Sequence, residues 1–67
     1  MSLGETIRTN RKRLGLTQEC LAIQLGVSFQ AVSYWERDDK RPGPGNLLRL
    51  SELLEIPAAI LLRLAAQ

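Results

Sequence analysis

The connection between two helical segments in the middle of the chain is the feature that most constrains its fold. Gly26 ends the first segment, Ser28 can cap the second, and only Val27 lies between them. Glycine suits the left-handed backbone at the end of a helix, and serine accepts hydrogen bonds from the free amides that begin the next one. Two helices joined by so short a turn must cross at a steep angle.

The residues around this turn have the sizes that such a crossing requires. Ala22 is small where the helices meet, and Val32 and Trp35 have the helical spacing needed to fill the angle between them. The sequence therefore predicts a helix-turn-helix, in which Thr17 caps the second helix of the chain and the third helix covers residues 29 to about 37.

Helical spacing continues on both sides of this motif. Ser2 and Glu5 have the spacing of a capping box, so a first helix is expected to begin there and to end at Gly15. The apolar stripe of this helix comprises Leu3, Ile7, Arg11 and Leu14. We predict an irregular loop at residues 38–45, because its two prolines and two glycines disfavour regular structure.

Two leucine-rich helices complete the prediction. The fourth helix presents Leu47, Leu50, Leu53 and Leu54, and the fifth, which Pro57 opens, presents Ile60, Leu61 and Leu64. No strand, internal repeat or second domain is evident in the pattern. The expected fold is therefore all-α, with five helices in a single domain over residues 1–67.

Composition narrows the classes of function. The chain has thirteen leucines, one cysteine and no histidine, so an internal disulfide and an ordinary zinc site are excluded. It also lacks a phosphate-binding glycine loop and paired carboxylates in a plausible cleft. We therefore expect no enzymatic activity, no metal, no cofactor and no small-molecule ligand. Without a signal peptide or a long apolar segment, the expected location is the cytoplasm.

The distribution of charge favours a polyanionic partner. The formal net charge is only +2, but the first 16 residues contain four basic side chains and one acidic side chain. A basic region of this kind is typical of nucleic-acid-binding proteins, although the total charge is too small to establish one.

Four short motifs carry a resemblance to a known family. They are T-Q-x-x-L-A at 17–22, G-V-S at 26–28, V-S-x-W-E at 32–36 and N-L-L-x-L at 46–50. The chain resembles the helix-turn-helix domains of phage Cro and repressor proteins and their bacterial relatives, also called the xenobiotic-response-element-like family. The likeness extends from Leu3 to Leu62. It implies a lambda-repressor-like, five-helix domain that binds an inverted-repeat DNA operator as a dimer.

By this resemblance the third helix is the recognition helix, and its outward residues contact base edges in the major groove. Gln30 is the best candidate, because its amide can form two hydrogen bonds to adenine. Phe29 can pack on a thymine methyl group, and Ser33 and Tyr34 can reach a base edge or a phosphate. The alternative for these residues is an ordinary solvated helix surface.

The resemblance also assigns contacts with the DNA backbone. The expected phosphate contacts are Asn10, Arg13, Thr17, Gln18, Lys40, Arg41 and Gly43. The alternatives are an ordinary solvated surface for Asn10, Arg13 and Gln18 and a solubilising loop for Lys40 and Arg41. Asp38 and Asp39 reduce the positive charge of the loop, so we expect modest affinity and a shallow dependence on salt. In addition, the family often joins the positions of Arg11 and Glu36 by a buried ion pair, and Arg11 does fall on the apolar stripe of the first helix.

A weak homodimer is expected, since one recognition helix reads too few base pairs for specific affinity. The candidate interface comprises Pro44, Ile56, Pro57, Ala58 and Leu62; alternatively, these residues complete the core of a single chain. Glu55 departs from the family, which commonly has glycine between the fourth and fifth helices.

The function that this reasoning predicts is sequence-specific binding of double-stranded DNA by a transcriptional regulator, most simply a phage or prophage repressor or Cro-type protein. An antitoxin that regulates its own operon and a restriction–modification controller remain open within the same class. So does a longer repressor of which this chain is the DNA-binding part. The alternative from another class is an adaptor that uses the same fold to bind proteins.

Overall fold

The computed structural model describes all residues from Met1 to Gln67 and contains five α-helices and no strand. The helices are α1 (Leu3–Arg13), α2 (Gln18–Leu25), α3 (Phe29–Glu36), α4 (Pro44–Leu54) and α5 (Ala58–Ala65). The all-α, five-helix prediction is confirmed. None of the five helices combines the length and the hydropathy of a membrane-spanning segment.

The first three helices begin at hydroxyl caps that the sequence predicted. Ser2, Thr17 and Ser28 each accept a hydrogen bond from the backbone amide three residues ahead. At the start of α1 the box is reciprocal, because the Ser2 amide donates to the Glu5 carboxylate at 3.0 Å. This backbone hydrogen bond, with a further one from the Ser2 hydroxyl, lowers the pKa of Glu5 from its ordinary value.

The fourth helix begins earlier than expected. Pro44 and Gly45 were predicted to belong to the loop, but α4 starts at Pro44 with Gly43 as its N-cap. Proline is compatible with the first helical turn, since its fixed φ is helical and the amide it lacks would have no partner there.

Four helices end in left-handed backbone, and only two of them do so with glycine. Gly15 follows α1 with a φ of 74° and Gly26 follows α2 with a φ of 71°. After α3 and α4 the left-handed residues are Asp38, with a φ of 61°, and Glu55, with a φ of 58°. The position of Glu55 is therefore one where an L-residue is strained and glycine is favoured.

One apolar core joins all five helices. α3 packs against α1 and α2, α4 packs against α5, and α1 also contacts α4 and α5. The buried apolar residues are Leu3, Ile7, Leu21, Ala22, Leu25, Val32, Trp35, Leu47, Leu50, Leu54, Ile56 and Leu61. Ile56 was expected at a dimer interface, but it lies in this core because the left-handed turn at Glu55 directs the chain back over α4.

The closest approach between α1 and α3 is made by backbone atoms. A Cβ atom at Gly4 would lie 2.5 Å from the carbonyl oxygen of Trp35 and 2.6 Å from that of Glu36. The Gly4 amide in turn donates to the Asp38 carboxylate at 2.9 Å. Glycine is therefore required here for lack of space, and the beginning of α1 is bound to the turn that ends α3.

Candidate nucleic-acid interface

The turn between α2 and α3 is held by hydrogen bonds from both of its sides. Gly26 adopts the left-handed conformation, and the Val27 amide donates to the Ala22 carbonyl at 3.0 Å. From α4, the Arg49 guanidinium donates to the carbonyls of Leu25 and Gln24 at 2.8 and 2.9 Å. A cation at this point complements the free carbonyls of a helix end, so α4 fixes the end of α2.

The two faces of α3 have different environments. Val32 and Trp35 are buried and fill the angle between the helices, as predicted. On the opposite face Phe29 is 53% exposed and Gln30 is exposed, while Ser33 and Tyr34 are half-buried. Tyr34 and Phe29 are aromatic residues that the core does not enclose.

A buried polar network joins α3 to α1 and α2. The Arg11 guanidinium donates to both oxygens of Glu36, at 2.6 and 3.0 Å, and to the Leu16 carbonyl at 2.7 Å. Gln18 donates its side-chain amide to the same carboxylate at 2.9 Å. The Arg11 and Glu36 side chains are only 8% and 3% exposed. The network therefore connects the start of α2, where Gln18 was expected at a phosphate, to the end of α3.

Apart from Gln18, the residues expected at phosphates fall into three groups. Thr17 caps α2 and Gly43 caps α4; both are exposed, and no protein atom lies within 4 Å of a Cβ position at Gly43. Arg13 donates to the Asn10 side chain at 3.2 and 3.3 Å, and also to the Leu54 carbonyl. These two side chains therefore lie together near the carboxyl end of α4.

Lys40 and Arg41 form the third group, and they separate despite being neighbours in sequence. The Lys40 ammonium lies 4.7 Å from the centre of the Tyr34 ring. Arg41 instead donates to the carbonyls of Ala65 and Gln67. Free carbonyls at the end of a helix attract a cation, which is why Arg41 turns toward α5 rather than following Lys40.

Arg37 is a polar residue of this region that the sequence interpretation missed. Its guanidinium carbon lies 5.2 Å from the Tyr34 ring centre. The spacing of three residues between Tyr34 and Arg37 was a usable signal, since residues at i and i+3 share a helix face. Arg37 was read only as the end of the third helix.

The residues expected at a dimer interface do not all lie on the surface. Pro44 and Pro57 are exposed, Ala58 is half-buried and Leu62 is 47% exposed. Ile56 belongs to the core, as described above. The surface that remains after this correction is formed by the beginnings of α4 and α5 together with Leu62.

These features define a class of protein: a helix, a tight glycine turn and a second helix whose inner face is buried and whose outer face is free. The chain belongs to the helix-turn-helix family, with which it matches over residues 7–61. It is similar to Repressor protein C2 of Salmonella phage P22, with 43% identity over 61 residues. It is also similar to the HTH-type transcriptional regulator DicA of Escherichia coli K12, with 46% identity over 55 residues.

The matched regions cover most of this chain but only part of these relatives. They include 91% of the chain and 28% of the phage repressor, and 82% of the chain and 41% of DicA. Among solved structures, the P22 c2 repressor in complex with a synthetic operator is similar with a TM-score of 0.85 and 41% identity, over 91% of this chain and 92% of that one. The solution structure of its DNA-binding domain has the same TM-score, with 42% identity over 92% and 82%.

Proposed function

We propose that this chain binds double-stranded DNA sequence-specifically and acts as a transcriptional regulator of the repressor type. The observation that carries the proposal is the likeness to a repressor solved on its operator, which extends over nine-tenths of both chains. The outward face of α3 supports it, because Phe29, Gln30 and Ser33 have no role in the core and carry no negative charge. An adaptor that binds proteins would have no reason to exclude acidic residues there.

In this proposal the first turns of α3 enter the major groove and read bases. Gln30 donates to and accepts from adenine through its side-chain amide. Phe29 contacts a thymine methyl group, and Ser33 reaches a neighbouring base edge or a phosphate. The inner face of α3 keeps the helix fixed while these contacts form, since Val32 and Trp35 are buried.

Backbone contacts orient the recognition helix on the duplex. The beginning of α2 presents its free amides and the side chains of Thr17 and Gln18 to one phosphate. Lys40, Gly43 and the Asn10–Arg13 pair are candidates for others. Because the Gln18 amide is bonded to Glu36, a phosphate at α2 is coupled to the end of α3 through the buried network.

The proposed binding unit is a homodimer on an inverted repeat, which tightens on DNA. Leu62, Pro57 and Pro44 supply exposed apolar surface for the second copy, and Ala58 supplies a half-buried part. Regulation would follow from occupying an operator and excluding polymerase, with the protein in the cytoplasm of a bacterial cell. Residues 1–67 would form the DNA-binding domain, and no catalytic step is part of this function.

The experiment that tests DNA binding is selection of the protein against a pool of randomised duplexes at moderate salt, followed by sequencing. Enrichment of an inverted repeat is expected. Enrichment of single half-sites would retain base reading but contradict the dimer. No enrichment by protein that gives a helical circular dichroism spectrum and a cooperative melt would contradict the proposal and favour the adaptor.

A matched pair of glutamine variants tests base reading by α3. Gln30→Ala is expected to lose about 1–3 kcal/mol of discrimination at one base pair in each half-site. Gln24→Ala, an exposed change on α2 that leaves its backbone carbonyl bonded to Arg49, should bind as the original does. If the unsubstituted protein and both variants have the same base preferences, Gln30 does not read a base.

A second pair tests the dimer surface. Leu62→Ser should reduce binding to a duplex with two half-sites and leave binding to one half-site unchanged. Ile23→Ser removes an apolar side chain that is even more exposed, on α2, and is expected to leave the assembly unchanged. Sedimentation on the two-half-site duplex measures the result, and a monomer in the unsubstituted protein would refute the homodimer.

A further inference from the structure

The end of α3 carries two cations on one aromatic ring. The Lys40 ammonium lies 4.7 Å from the centre of the Tyr34 ring, and the Arg37 guanidinium carbon lies 5.2 Å from it. Both distances are within the range of cation–π attraction. Tyr34 therefore gathers two positive charges at the point where the outward face of α3 meets the following loop.

Backbone hydrogen bonds hold these residues in place. The amides of Asp39 and Lys40 both lie within hydrogen-bond distance of the Tyr34 carbonyl, at 2.9 and 3.5 Å. This turn requires the left-handed conformation of Asp38, whose carboxylate binds the Gly4 amide at 2.9 Å. The cluster is thus built on a turn that is fastened to α1, and the Asp38 carboxylate is occupied by that attachment.

One acidic side chain pairs with a cation of the cluster. The Asp39 carboxylate lies 3.3 Å from the Arg37 guanidinium, and the two side chains are 54% and 59% exposed. An ion pair with this exposure contributes little to stability, because water screens both charges. A phosphate group presents similar oxygens with strong acceptor capacity, so it can replace the carboxylate on Arg37 at small cost.

We propose that Tyr34, Arg37 and Lys40 form a binding site for one backbone phosphate of DNA, and that this phosphate displaces Asp39 from Arg37. The inference rests on the proposed function and replaces the direct DNA contact that the sequence predicted for Tyr34. Arg37 and Lys40 donate hydrogen bonds to the phosphate oxygens. Tyr34 positions the two cations through the face of its ring, so its hydroxyl group is not required and it reads no base.

Salt dependence of binding tests this site directly. Arg37→Gln is expected to reduce the slope of log Kd against log salt by about 0.9 for each half-site, and so by about 1.8 for the dimer, since about 0.9 is the value for one phosphate contact. Arg63→Gln is the matched control, since it removes an exposed arginine from α5 and should leave the slope unchanged. Equal slopes for the two variants would overturn the site. Because each of these side chains is exposed, thermal melting should confirm that both variants fold normally.

Two substitutions of Tyr34 separate positioning from base reading. Tyr34→Phe keeps the aromatic face and should bind as the original does. Tyr34→Leu is expected to reduce the salt slope and to weaken binding equally on the selected operator and on unrelated duplexes. A change in the preferred base at one position, with either variant, would make Tyr34 a base reader and overturn the proposed role.

The competing carboxylate gives a gain-of-binding test. Asp39→Asn should tighten binding to the operator and to unrelated duplexes alike, by about 1.4- to fivefold for each half-site, which corresponds to the range for an exposed ion pair. Unchanged or weaker binding would contradict displacement of Asp39 by phosphate. Failure of the proposed function is distinguishable, because in that case the unsubstituted protein itself would enrich no operator.

Discussion

The end of α3 has an arginine–carboxylate ion pair on each of its two faces, and the two pairs differ in how deeply they are buried. On the inner face Glu36 pairs with Arg11, and both side chains are almost completely buried. On the outer face Asp39 pairs with Arg37, and both are more than half exposed. The inner carboxylate receives three hydrogen bonds from two side chains, whereas the outer pair is a single contact in water.

This difference shows that burial determines how much free energy is needed to break an arginine–carboxylate pair. A buried pair is costly to break, because either partner alone would be an uncompensated charge in the interior. An exposed pair is cheap to exchange for another anion. The inner pair therefore fixes α3 against α1, and in the proposed function the outer pair is available to DNA.

The largest effect is expected from breaking the inner pair. Glu36→Ala should lower the free energy of unfolding by about 3–5 kcal/mol, because it leaves the Arg11 guanidinium buried without its counter-ion. Denaturant-induced unfolding measures the change. On the outer face, Asp39→Ala should change stability by no more than about 1 kcal/mol.

Replacing both Arg11 and Glu36 tests whether an uncompensated buried charge is the cause of this destabilisation. Arg11→Met with Glu36→Leu should recover part of the loss, since apolar residues of similar volume remove the buried charge altogether. If the double variant is as unstable as Glu36→Ala, uncompensated charge is not the cause of the destabilisation.

The next largest effect concerns the close contact between Gly4 of α1 and the backbone carbonyls at the end of α3. Gly4→Ala should destabilise the protein by about 1–3 kcal/mol, because the added methyl group meets backbone carbonyls that cannot turn aside. Gly45→Ala is the matched control: it lies within α4 with open space around it, and should stabilise by about 0.5–1 kcal/mol. Thermal melts that rank the two variants in the reverse order would contradict the close approach.

A smaller effect distinguishes the two left-handed residues that are not glycine. Glu55→Gly should relieve about 1 kcal/mol of backbone strain, which raises the melting temperature by about 4–8 °C. Asp38→Gly relieves similar strain but loses the hydrogen bond to the Gly4 amide, so it should gain less or nothing. An equal gain at both positions would mean that the Asp38 bond contributes no stability.

The smallest effect concerns Glu5, an exposed carboxylate that a backbone amide binds. Its pKa is lower in the folded protein than in the unfolded chain, so its contribution to stability is complete above the unfolded pKa and is lost as the pH falls through the folded pKa. Glu5→Gln should therefore make stability less sensitive to acid. NMR titration of the carboxyl carbon measures the pKa, and Ser2→Ala should preserve most of its lowering because the amide remains.

Local signals in the sequence predicted most of the fold. The hydroxyl caps at Ser2, Thr17 and Ser28 and the glycine at the α2–α3 turn are short-range chemistry, so their positions follow from residue identity. The start of α4 was missed because Pro44 was read as a breaker, although proline also begins helices.

The parts that could not be predicted depend on the path of the chain in three dimensions. An apolar side chain such as Ile56 suits a core and an interface equally well, and it lies in the core because of the turn at Glu55. Arg41 and Lys40 are identical in charge, yet Arg41 binds the end of α5, which is remote in sequence. Local residue identity contains no information on which of two adjacent cations meets a distant helix end.

The backbone contact at Gly4 has a consequence for how this domain can change over evolutionary time. Where two helices meet through side chains, each substitution alters their separation by a small amount. Here α1 meets the carbonyls of α3 directly, so a side chain added at Gly4 would push the two helices apart, whereas a substitution on the outward face of α3 does not touch this contact. The outward residues of α3 can therefore change without altering this contact, and the face that they present can diversify on a fixed support.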